Sequence, residues 1–188
     1  MKYVAKLHNY PLTWVIDAEN ETDAETKAWA AIRADMSPEA AHDGGFITVK
    51  PETYRQQKER QQKEINEFPL MAAFNEQQFA DGMKKLNVDR DGLLSIGAGC
   101  FIRKTDRDAF VNMMKRHTDE VKQACAADQT GDGFIYQMFY SCLADHEYSY
   151  TGDLSEGIAA TPFTLDEINA NPALLHGLSK AAAAQTNE

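Results

Sequence analysis

The densest group of chemically capable side chains in this 188-residue sequence is Asp145-His146-Glu147-Tyr148-Ser149-Tyr150-Thr151-Gly152-Asp153. Histidine titrates near neutrality, and beside a carboxylate it can take up and return a proton. One reading is therefore a metal-assisted enzyme, with His146 as base and Glu147 and Asp153 as orienting groups or metal ligands. The other is a protein interface, because surface tyrosines beside carboxylates supply both contact area and polar anchoring. Its candidate residues are Asp145, Glu147, Tyr148, Tyr150 and Asp153. The same segment also fits a helix end whose tyrosine rings pack on the core. No motif in the chain specifies a reaction, so the binding reading leads; no catalytic residue is assigned and no cofactor is expected.

Other groupings bear on metal. Cys142 and His146 are four apart, one helical turn, and with Cys125 or His117 they would make a zinc set. Structural zinc sites carry closer pairs such as Cys-x2-Cys, which this chain lacks. Cys125 and Cys142 fall instead on apolar stripes, where free cysteine behaves as a small hydrophobe. A cysteine nucleophile paired with His117 or His146 lacks any flanking pattern. Asn87-x-Asp89-x-Asp91-Gly92 and Asp128-x-Thr130-x-Asp132-Gly133 resemble the first half of a calcium loop. The bidentate glutamate that calcium needs at position twelve is Ala98 in the first and Phe139 in the second. Both are read as turns, and no metal site is assigned. Gly97-Ala98-Gly99 lacks the Gly-Lys-Ser/Thr ending of a phosphate loop.

Charge narrows the partners. The formal net charge is −10, and no lysine or arginine occurs between Gln123 and Ser179. Those 57 residues hold eight carboxylates and seven aromatic rings, so they fold into a surface that repels nucleic acid and suits a basic protein or a cation. Lys84–Lys122 runs the other way, with nine basic and six acidic residues. Its Arg103, Lys104, Arg107, Lys115 and Arg116 form a modest basic patch that would complement the acidic stretch within the chain or between copies, as in a regulatory homo-oligomer. Three cysteines at unpatterned spacing and an N-terminus without a long apolar run predict reduced thiols in a cytoplasmic protein. No stretch approaches the roughly 20 apolar residues of a membrane span.

The elements that must position these groups predict an α+β fold in three parts. Residues 1–50 read as a small β-β-α-β module: strands over 2–8 and 12–17, a helix opened by Thr22 with Glu25 as a capping box, a turn at Asp43-Gly44-Gly45 and a strand over 46–49. Residues 51–67 read as a polar connecting helix, solvated except for Tyr54 and Ile65. Residues 68–185 read as a mainly helical domain with a short β-hairpin across Gly97-Ala98-Gly99. Its helices cover about 75–86, a stretch capped by Thr105 with Phe110, Met114, His117, Val121 and Cys125 on one face, and 134–148 with Ile135, Met138, Phe139 and Cys142 inward. Thr164 with Glu167 forms another capping box, Asn171-Pro172 starts the last helix, and the alanine-rich end from Lys180 frays.

Three segments, Phe74–Met83, Gly97–Lys104 and His146–Asp153, together with Leu174-Leu175-His176-Gly177-Leu178, carry a resemblance. Residues 68–178 resemble an uncharacterised family of small proteins from bacteriophages and other mobile elements of gut bacteria. The resemblance leaves the N-terminal module outside and transfers no catalytic residue. It implies an anti-defence role: a non-enzymatic inhibitor that occupies the basic nucleic-acid-binding surface of a CRISPR or restriction complex, without itself binding nucleic acid or membrane.

Overall fold

The computed structural model describes residues 1–38, 41 and 45–186. Its elements run β1 (Lys2–Leu7), β2 (Thr13–Asp17), α1 (Glu21–Asp35), β3 (Ile47–Pro51), α2 (Tyr54–Glu67), β4 (Leu70–Ala72), α3 (Glu76–Leu86), β5 (Leu93–Gly97), β6 (Cys100–Arg103), α4 (Arg107–Ala127), α5 (Phe134–Asp145), α6 (Tyr148–Thr151), α7 (Ser155–Ala159), α8 (Leu165–Ala170) and α9 (Pro172–Thr186). The protein is α+β, with two small sheets and a helical C-terminal region. The chain divides into two compact units, Met1–Gln57 with Glu120–Glu188, and Lys58–Asp119. Both divisions fall inside helices, α2 and α4.

In the first unit, β1 lies between β2 and β3 and pairs antiparallel with both. Alternation sends Tyr3, Ala5 and Leu7 to one face, where Ala24, Ala28 and Ile32 of α1, at four-residue spacing, close over them. The alanines let the helix backbone approach the sheet. The cap of α1 is Asn20, whose side chain accepts from the Asp23 amide at 3.0 Å, so the helix starts before the expected Thr22. Of the expected turn at Asp43-Gly44-Gly45, Asp43 and Gly44 lie outside the described residues.

The C-terminal helices of this unit form around α5. Ile135, Met138, Phe139, Cys142 and Leu143 are buried with Ile168, Leu174, Leu178 and Ala181. Helix α9 crosses α5 closely because two glycines meet there. A Cβ at Gly177 would stand 2.5 Å from Ile135 Cγ2, and one at Gly131 2.2 Å from the Ala173 carbonyl oxygen. Among the described residues, up to Thr186, the expected fraying from Lys180 does not occur: Ala181 and Gln185 are buried, and Gln185 Nε2 donates to the Tyr140 carbonyl. Burial of that face holds a helix end that composition alone would release.

In the second unit the sheet order is β4-β6-β5, all antiparallel. The expected hairpin is present, turning through Ala98 (φ +48) and Gly99 (φ +72), as a two-residue primed turn requires. It gains a third strand, β4, too short to announce itself in sequence. Asn75 caps α3, and Asn87 in the left-handed region ends it. Thr105 sits in a 3₁₀ turn, Lys104–Asp106, and α4 begins at Arg107, so Thr105 does not cap it directly.

Candidate functional site

Helix α5 ends at Asp145, with His146 as its cap. Glu147 then takes φ +54, a left-handed conformation that a residue with a Cβ enters only at a cost. The single turn of α6 follows, and Gly152 (φ +66) ends it. This double reversal makes a knuckle. Tyr148 is half-buried against the core around α5, whereas Tyr150 is 89% exposed. Asp153 opens α7: its carboxylate accepts from the Ser155 amide at 2.8 Å, which holds it below the usual carboxylate range. His146 Nδ1 faces Glu156 at 3.6 Å.

The five candidates thus separate. Tyr148 packs half-buried against the core, and Asp153 accepts from the Ser155 amide. Asp145 and Glu147 are exposed, and the Glu147 side chain has no hydrogen bond or ion pair among the described residues. Elsewhere in the acidic stretch several of the charges are spent internally. Asp132 binds Lys180 at 2.6 Å and His176 at 3.0 Å, which lower its pKa. Glu167 completes the capping box with Thr164 and lies 3.9 Å from Lys122.

The metal-assisted arrangement of His146, Glu147 and Asp153 is not formed as a ligand set. Among the described residues no group of three or more His, Cys, Asp or Glu side chains is placed to hold a metal ion. Cys125 is buried against Met138, with its thiol pushed up to about 12 by burial, and Cys142 meets the Tyr54 hydroxyl at 3.8 Å. Such a thiol is a poor nucleophile.

His117 has a different role from the one its spacing suggested. Its Nε2 meets Glu64 Oε2 at 2.7 Å, Arg116 binds the other Glu64 oxygen, and Gln61 Nε2 donates to the His117 carbonyl. The polar helix α2 is thus not merely solvated. Gln57, Gln61 and Glu64, at helical spacing, turn a polar stripe inward, and Gln57 is 2% exposed. That spacing was the available signal, hidden because every member is polar. The basic patch is also partly spent: Arg103 binds Asp106 at 2.6 Å and Arg107 meets Asp108 at 3.2 Å.

The His117 and Arg116 hydrogen bonds, in that order, lower the Glu64 pKa from 4.5. A carboxylate lowered on folding stabilises the fold above its unfolded value and stops doing so as pH falls through the folded value. Glu64→Gln should therefore flatten the fall of melting temperature below about pH 4.5. Parallel wild-type and variant curves over that range would remove this role.

The fold is α+β, with two small sheets and a helical C-terminal region. The chain belongs to a family of unknown function, DUF7659, which matches residues 53–184. Like the resemblance read from sequence, the match leaves out the N-terminal module. The chain is also 33% identical over 89 residues to two spider proteins of Loxosceles intermedia, dermonecrotic toxins LiSicTox-alphaIA2bi and LiSicTox-alphaIA2bii. The match covers 41% of this chain and 29% and 30% of theirs, so the chain spans under a third of the length of these relatives. No solved structure matches. No helix among the described residues is long and apolar enough to cross a membrane.

Proposed function

We propose that the protein is a non-enzymatic acidic binding module that meets a basic protein surface through the knuckle Asp145–Asp153. The observation that carries this reading is Tyr150, 89% exposed beside the unpaired Glu147 in a stretch without lysine or arginine. An exposed aromatic ring in an acidic segment is the kind of anchor that fills a pocket on an arginine- and lysine-rich partner. The mobile-element setting implied by the sequence resemblance makes a nucleic-acid-processing defence complex, CRISPR or restriction, the partner class to test first.

The test begins with affinity purification of partners from a bacterial host, followed by binding measurements on the purified pair. Tyr150→Ala and Glu147→Lys should each weaken the complex about tenfold or more, with the melting temperature held, because both side chains are exposed. Association should slow as salt rises past about 0.15 M, where the screening length is about 8 Å. A salt-insensitive complex, or one indifferent to both substitutions, would remove the knuckle as the binding site.

A further inference from the structure

The side-chain amide of Gln57 is out of keeping with its surroundings. The residue is buried, and its Nε2 has no hydrogen-bond partner among the described residues. Buried donors in native proteins are almost always bonded, because an unpaired one gives up water and gains nothing in return. The helix around it is intact, since the Gln57 backbone amide donates to the Thr53 carbonyl at 3.0 Å. The unmet need belongs to the side chain alone.

Gln57 lines a cavity of about 30 Å³, with Lys2, Asp17, Glu52, Glu120 and Gln123 among its other walls. All of these residues lie in the Met1–Gln57 and Glu120–Glu188 unit. A water needs about 10–15 Å³ of such space, so about two fit and a cofactor does not. Charged groups stand in the wall. Glu52 is buried, and Lys2 Nζ lies 3.5 Å from Asp17 and 3.6 Å from Glu120. A cavity of this size fills when polar groups converge on it and stays dry when its walls are apolar.

We propose that this cavity is a binding site for water, in which one molecule accepts from Gln57 Nε2 and donates to the carboxylates of Glu52 and Glu120. Water meets both needs of the wall, with lone pairs for the amide and the Lys2 ammonium and hydrogens for the acids. A cation gives an amide NH₂ no acceptor, and an anion would face the Glu52 and Glu120 carboxylates. The site also has a place in the architecture. Lys2, Asp17 and Glu52 precede the region matched by the family, whereas Gln57, Glu120 and Gln123 lie within it. The N-terminal module is thus seated on the family region through a hydrated joint beside the Lys2–Glu120 ion pair.

A high-resolution crystal structure of the full protein tests this, together with melting curves of Gln57→Leu. Density for an ordered water is expected about 2.7–3.2 Å from Gln57 Nε2. A dry cavity, or a Gln57 amide bonded directly to the Glu52 or Glu120 carboxylate, would overturn the proposal. Leucine is close to glutamine in size but donates nothing. A hydrated Gln57 predicts that the variant melts about 2–4 °C lower, because the water loses a partner and its other contacts weaken. A donor that is truly unpaired predicts the opposite sign, so a raised or unchanged temperature would overturn the proposal as well. A wild-type melting temperature that differs between sodium, potassium and choline chloride at one ionic strength would assign the cavity to a cation instead.

Discussion

Replacing Gly131 with alanine is expected to destabilise the protein by roughly 3 kcal/mol or more, seen as an earlier urea midpoint and a lower melting temperature. Two separate costs meet there. Gly131 has φ +79, a conformation that disfavours a Cβ by about 1 kcal/mol. The larger cost is steric, because the new Cβ would sit 2.2 Å from the Ala173 carbonyl oxygen and 3.1 Å from its carbon. These are backbone atoms at the start of α9, which cannot swing aside as a side chain can. Relief requires α9 to retreat from α5, and that opens the layer in which Leu174, Leu178 and Ala181 meet Ile135 and Phe139. Gly152 is the control. It has φ +66 with nothing within 4 Å of its Cβ position, so Gly152→Ala should lose only the conformational part, about 1 kcal/mol. Equal losses at the two sites would mean that the α5–α9 contact is not set by Gly131.

What the sequence revealed and what it hid divide along physical lines. Local rules worked where the signal and its partner lie within a few residues. The Thr164–Glu167 box, Asn171 before Pro172, and the inward face Ile135, Met138, Phe139 and Cys142 stand as their spacing predicts. The reading weakened where the partner lies far along the chain. The Glu64–His117 contact spans 53 residues, and nothing near either residue names the other. In α2 the inward stripe is polar, with Gln57 buried and Gln61 and Glu64 half-buried, so an apolar-periodicity search passes over it. Strand β4 needs β6 to exist at all, since three residues carry no periodicity of their own. The acidic stretch shows the same division. Its composition is plain, but only the fold separates the carboxylates occupied by Lys180, Lys122 or backbone amides from those, such as Glu147, that face outward without a partner among the described residues.

Asp128 is the acidic residue with the largest expected structural effect, and its chemistry explains why a calcium-like half-motif is a turn. One carboxylate oxygen accepts from the Gly131 amide at 3.0 Å and the Thr130 hydroxyl at 3.1 Å. The other accepts from the Gly133 and Ile135 amides, both at 3.0 Å. Four donors saturate the carboxylate, so its lone pairs are already committed. The Ile135 amide belongs to the first turn of α5, whose own cap position, Gly133, has no side chain to offer. Asp128 therefore caps α5 from five residues before that position and places an anion at the positive end of the helix. It also shapes the loop that brings Gly131 against α9. Hydrogen bonds to a charged acceptor contribute about 1.5–3 kcal/mol each and are not additive, so Asp128→Ala should lose roughly 3 kcal/mol. Asp128→Asn keeps one acceptor oxygen but turns an NH₂ toward backbone donors, and it should fall between alanine and wild type. If the loop instead depended on a bound cation, a chelator would lower the wild-type melting temperature toward that of Asp128→Ala. Saturation of the carboxylate by protein donors predicts that the chelator leaves the wild-type temperature where it was.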